Sequence, residues 1–222
     1  MCFSATASFG ISAALVTGGI SILRKFNKLT YVPFATIPFF FAIQQFTEGL
    51  VWLSLTNAAY AFLNFSTTSI YLFFAEVLWP VLVPTAIYLI DKDSSRKYIF
   101  YFFIFIGFVT SAYFSYCLLN YPYSAVISGN HISYELDFPY QLNQLSGVFY
   151  FVATVLPAFI SKVKYVIYFG FVILLSFVTT KFFYNEYLIS IWCYFAAVIS
   201  LCIFFILNAR VASDSIFQSD IR

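Results

Sequence analysis

The stretch "PFATIPFFFAIQQFTEGLVWLSL", residues 33–55, decides the fold. It is long enough to cross a bilayer, whose hydrocarbon core takes roughly 20 apolar residues at about 1.5 Å each. It also holds Gln44, Gln45 and Glu48 near its middle. The rest of the chain tells which environment it belongs to. Of 222 residues, 62% are hydrophobic and only 9% are charged, against roughly 45–50% and 25% in soluble globular domains. Mean hydropathy is +0.90. The chain reads as an all-α integral membrane protein of the cell (inner) membrane, and residues 33–55 as one of its spans.

Working outward, apolar runs bounded by charges or turn residues give seven expected transmembrane helices. They lie at about 4–23, 33–55, 67–90, 98–119, 143–160, 164–182 and 186–208. Positively charged residues collect in short cytoplasmic loops. Arg24, Lys25 and Lys28 follow the first span, Lys92, Arg96 and Lys97 the third, Lys162 and Lys164 the fifth, and Arg210 and Arg222 the seventh. Lys181 alone falls on the other side. The bundle is therefore expected with its N-terminus outside and its C-terminus in the cytoplasm. No basic region precedes the first apolar run, the reverse of a cleavable signal peptide. A single seven-helix domain over 1–210 and a short cytoplasmic tail over 211–222 are expected, with no separate soluble domain.

The loop at 120–142, "NYPYSAVISGNHISYELDFPYQL", places Gly129-Asn130 between two β-prone runs, the signature of a short hairpin. It is either a lid or an ordered connector. The net charge of +2, spread over loop clusters, argues against a nucleic-acid partner. With 31 Phe and 18 Tyr, aromatic residues are too numerous to mark a site. Partners reduce to the lipid bilayer and a small ligand or ion.

An ionisable side chain in hydrocarbon costs at least a few kcal/mol and normally faces the bundle interior or water. Glu48 and Glu76 are the two acidic residues well inside expected spans. Counted from the outer ends of their helices, both carboxyls lie roughly 10–14 Å down from the same side. Gln44, Gln45 and Trp52 share a helical face with Glu48, and Trp79 and Pro80 stand in the equivalent places after Glu76. Pro80 frees the carbonyl at 76, and Pro84 repeats the effect one turn on. Ser4 and Thr6 lie at the same depth, as do Ser8, Ser115, Cys117, Ser146, Thr179, Thr180, Trp192 and Cys193. Together they suggest a polar pocket in the outer third of the bilayer. The plainer alternative is interhelical glue, with the carboxyls hydrogen-bonded to glutamines or indoles.

Cys2 is weighed separately. Removal of Met1 would leave an α-amine and a thiol on one residue, a pair able to chelate metal or act as a nucleophile with its own base. An outer disulfide from Cys2 to Cys117 or Cys193 is the other possibility. The four cysteines contain no C-x-x-C pair.

The opening "MCFSATASF", with "PFFFAIQQFTEGLVW" and "FFAEVLWPVLVP", resembles an uncharacterised family of bacterial multi-pass membrane proteins. The likeness covers roughly the first 90 residues. It implies that Cys2, Gln45, Glu48, Trp52, Glu76, Trp79 and Pro80 belong to the motif-bearing part, and supplies no substrate.

Familiar seven-helix activities fit poorly. The last span has no lysine for a retinal Schiff base, and the single histidine, His131, lies in a loop, so neither retinal nor His-ligated zinc is expected. Two functions from different classes remain. The first is a protein binding or transporting a small cation, proton or amine through an outward pocket of Gln44, Gln45, Glu48, Trp52, Glu76 and Trp79, with Ser4 and Thr6. The alternative is a membrane-embedded enzyme or metal-binding protein acting on a lipid or amphiphile, with Cys2 as catalytic nucleophile or ligand. A scaffold subunit is the bland third reading.

Overall fold

The computed structural model describes the backbone of residues 4–91 and 94–219, and their side chains except at 94, 140–144 and 213–219. Helix α1 (Ala5–Lys25) is capped by Ser4, whose Oγ accepts from the Ala7 N–H at 3.3 Å. After a short turn, α2 (Val32–Ala35) leads into α3 (Ile37–Thr56). A 3-10 segment (Ala58–Leu63) carries the chain to α4 (Asn64–Leu72), which runs through a π-helical stretch (Phe73–Leu78) into α5 (Trp79–Ile90). Helix α6 (Lys97–Asn120) precedes the strands β1 (Tyr123–Ser128) and β2 (His131–Leu136). Then come α7 (Tyr140–Ile160), α8 (Val166–Phe183), α9 (Leu188–Ser200) and α10 (Ile203–Ser219).

These elements fall into seven long helical stretches close to the expected ones. Five are long and apolar enough to span a membrane: Ala5–Lys25, Ala58–Ile90, Lys97–Asn120, Val166–Phe183 and Asn185–Ala212. That is the make-up of a multi-pass membrane protein. The other two stretches fall short for physical reasons. Helix α3 is diluted by Gln44, Gln45 and Glu48, and the apolar part of α7 is the shorter run Leu145–Ile160. The seventh stretch is also interrupted: Leu201 and Cys202 form a turn between α9 and α10, and the helix then continues through 211–219.

The helices meet where side chains are small. Ser12 Oγ of α1 donates to the Ala42 carbonyl of α3 at 2.8 Å, and a Cβ on Gly49 would stand 2.5 Å from the Phe9 ring. Such close backbone approach replaces the hydrophobic driving force that lipid does not supply. At the basic end, the Arg96 guanidinium donates to the Ile160 carbonyl at the close of α7. Asp91 Oδ2 accepts from the Lys162 backbone N–H at 2.9 Å, so two of the lysine- and arginine-bearing loops are tied together.

At the opposite end the expected hairpin is present. Strands β1 and β2 pair antiparallel, with Ser128 facing His131 across the two-residue turn. Gly129 has φ of 62° while Asn130 stays negative, the sign pattern of a type II′ turn. The hairpin packs inward: Ala125, Ile132 and Tyr134 are buried with Val51, Trp52, Tyr71 and Leu72 at the ends of α3 and α4.

Prolines shape α5. Pro80 lacks an N–H, and in the π geometry, where N–H(i+5) serves C=O(i), the orphaned carbonyl is that of Ala75 rather than Glu76. Tyr150 Oη of α7 donates to it at 2.6 Å, and Ser111 Oγ of α6 donates to the Val77 carbonyl at 2.6 Å. Pro84 in turn deprives the Pro80 carbonyl, which lies against Gly107 of α6. A Cβ there would be 1.9 Å from that oxygen.

Gly107→Ala is therefore expected to force α5 and α6 apart, costing about 1–3 kcal/mol as an overpacked contact. Gly147→Ala on α7, with nothing within 4 Å of the added methyl, is the control. Thermal unfolding in detergent should show a lower midpoint for the first and an unchanged one for the second.

Candidate functional site

Glu48 sits on the buried face of α3, 2% exposed. Three residues back along the same face, Gln45 Nε2 donates to Glu48 Oε2 at 3.1 Å. From α9, Ser190 Oγ donates to Glu48 Oε1 at 2.5 Å. The Tyr71 hydroxyl of α4 lies beside the same carboxyl and reaches the Ile189 carbonyl at 3.4 Å. Above it, Tyr134 of the hairpin stacks on Tyr71 with ring centroids 4.6 Å apart and planes within 7°. Glu48 is thus held by α3, α4 and α9 and roofed by β2. Trp52, one turn beyond it, packs among the hairpin and α4 residues.

Gln44 turns away from Glu48. Its Oε1 accepts from the Trp79 indole N–H at 2.9 Å, and Trp79 stacks on Phe41 with centroids 4.0 Å apart. One glutamine pair therefore serves two jobs, Gln45 on the carboxyl and Gln44 on the indole of α5. Sequence spacing places Trp79 near Glu76, and the structure joins it to α3 as well.

Glu76 lies in the π-helical stretch and is 9% exposed. Its neighbouring carbonyls are satisfied from α6 and α7, but among the described residues no side chain or backbone N–H donates to its carboxyl. Tyr150 and Cys193 are within electrostatic reach of it. Cys193 is also within electrostatic reach of Glu48. Below this cluster a cavity of about 60 Å³ is bordered by Phe41, Trp79, Tyr150, Trp192, Cys193 and Ala196. The Trp192 indole nitrogen is buried without an acceptor.

The remaining sequence candidates are placed as follows. Ser4 caps α1, and Thr6 is exposed on that helix. Cys2 lies outside the described residues. Cys117 and Ser146 gather around Tyr113 instead, and Thr180 Oγ1 donates to the Ser176 carbonyl of its own helix. Cys117, Cys193 and Cys202 are free thiols. Among the described residues, no three His, Cys, Asp or Glu side chains converge as a metal site would require.

Sequence reading missed Tyr71, Tyr134, Tyr150 and Ser190. Three are tyrosines among 18, and nothing in spacing separates them from lipid-facing rings. Ser190, three residues before Cys193 in a span already holding Trp192, was the one detectable signal.

The hairpin is fastened by hydroxyls: Ser69 to Tyr123 at 2.7 Å, Ser128 to Tyr187 at 3.0 Å, and Ser133 donating to the Glu186 carbonyl at 3.1 Å. His131 lies 4.8 Å from the Tyr187 ring, and burial holds its imidazole below the ordinary histidine value.

A family model described as a family of unknown function (DUF6629) matches residues 1–217, and the chain belongs to that family. The match extends well beyond the first 90 residues that carry the resemblance read from motifs. No curated protein matches the chain, and no solved structure does.

Ser190→Ala removes a donor from a buried carboxyl and should cost about 1–3 kcal/mol. Tyr134→Phe deletes a hydroxyl that is buried without a partner, so its stability should stay within about 1 kcal/mol of wild type. Thermal midpoints of the two variants, read by tryptophan fluorescence, check both.

Proposed function

We propose that this member of the DUF6629 family is a seven-span protein of the cell (inner) membrane that binds or moves a small cation, proton or amine. Residues 1–210 form one transmembrane domain, the hairpin end faces outward, and 211–222 lie on the cytoplasmic side. Gathering of the basic loops at one end, with Arg96 and Asp91 tying them together, supports that orientation. Helix α3 counts as a span on this reading because its polar residues face the bundle interior rather than lipid.

The observation that carries the function is the pair of carboxyls, Glu48 and Glu76, both buried in the bundle and both within electrostatic reach of Cys193. Gln44, Gln45, Trp52 and Trp79 shape the surroundings, and Ser4 and Thr6 stand at the outer end of α1. Buried acidic groups in membrane helices characteristically mark ion or proton paths. Indole faces add attraction for a desolvated cation of about 2 kcal/mol.

Two experiments test the reading. Single cysteines at Asn130 and Ser95 should react with a membrane-impermeant maleimide from opposite sides of the bilayer, and labelling from the same side would overturn the topology. In proteoliposomes, the wild type should dissipate a gradient of protons, Na⁺, K⁺ or methylammonium, or bind one of them, and the double variant Glu48→Gln/Glu76→Gln should not. Identical behaviour of the two proteins with all four would refute the site.

A further inference from the structure

Resting on that reading of the site, we infer that Glu76, and not Glu48, receives the charged ligand, and that the ligand is a small organic amine whose apolar part occupies the aromatic cavity. The two carboxyls differ in what already holds them. Glu48 accepts hydrogen bonds from Gln45 and Ser190 and has Tyr71 beside it, so its oxygens are committed to joining α3, α4 and α9. Glu76 is nine-tenths buried with no donor among the described residues. A carboxylate out of water needs a partner, and an incoming ammonium supplies both charge and N–H donors.

What borders Glu76 sets the chemistry of the rest of the ligand. Tyr150, whose hydroxyl donates at 2.6 Å to the carbonyl of Ala75 beside Glu76 in the chain, lines the cavity, and so does Cys193, which is within electrostatic reach of the carboxyl. The other walls include Trp79, Trp192 and Phe41, with Tyr150 and Trp192 set at 63° to each other. Ring faces of this kind attract organic cations and pack against hydrocarbon. A metal ion would instead need several oxygen, nitrogen or sulfur ligands, and no three His, Cys, Asp or Glu side chains converge among the described residues. Ala196, at the cavity wall, is a position where added bulk would fill the space without altering either carboxyl.

Full-length protein in detergent is titrated with methylamine, benzylamine and KCl, following tryptophan fluorescence and heat of binding. Benzylamine is expected to bind at least about tenfold tighter than methylamine. Glu76→Gln should weaken benzylamine by about tenfold or more, and by clearly more than Glu48→Gln, whose main effect is a lower thermal midpoint. Ala196→Leu should abolish the advantage of benzylamine over methylamine, an independent readout should Glu76→Gln unfold. Loss of amine binding in Glu48→Gln but not in Glu76→Gln overturns the inference. Binding of K⁺ or protons without amines also overturns it and leaves the broader carboxylate site standing. If neither amines, K⁺ nor protons interact with wild type, both fall.

Discussion

Pro80 has no N–H to give, and in hydrocarbon a carbonyl without a donor costs several kcal/mol. Much of the arrangement around the site follows from meeting that demand. The chain widens into a π-helical stretch at Phe73–Leu78, and hydroxyls from two other helices reach in, Tyr150 from α7 and Ser111 from α6. Pro84 repeats the problem a turn later, and there the answer is the bare Cα of Gly107. Helices α5, α6 and α7 are thereby fixed to one another at the depth of Glu76. In an ordinary α-helix Pro80 would instead have freed the Glu76 carbonyl, and the carbonyl that Tyr150 serves would have kept its own N–H.

The same economy of donors separates the two glutamates. Around Glu48, donors are plentiful, and they come from different helices, so its carboxyl acts as a clasp between α3 and α9. Around Glu76 the available hydroxyls are spent on backbone carbonyls, which leaves the carboxyl beside Tyr150 and Cys193 with none. Interhelical glue and a ligand site are therefore not competing descriptions of one cluster; on the proposed reading each belongs to a different carboxyl. Gln44 links the halves, since its bond to Trp79 sets an indole that borders the cavity.

Much of this was legible in the sequence. Apolar runs located the helical stretches, Gly129-Asn130 announced the hairpin, and Glu48 with Gln45 announced a buried polar contact, because each depends on local chemistry or helical spacing. The partners supplied from afar were not legible. Ser190 stands 142 residues from Glu48, and no periodicity connects them. Tyr71, Tyr134 and Tyr150 were hidden by abundance, and the inward tuck of β2 depends on the fit of Ile132 and Tyr134 against α3 and α4. The shift of the orphaned carbonyl from 76 to 75 required knowing that the helix widens, which a proline alone does not dictate.

Helix α3 shows why apolarity and function pull against each other in such a chain. Its buried face holds Gln44, Gln45 and Glu48, and these residues keep it from ranking with the five most membrane-like stretches. A helix can carry three such groups through lipid only if its neighbours take them up: Ser12 and the small residues of α1 let it pack closely on one side, Ser190 and Trp79 meet the polar groups on others. A helix diluted in this way must then be well enclosed, and α3 buries twelve of its twenty residues. On the proposed reading, low hydropathy in this segment marks a central span whose polar residues its neighbours take up.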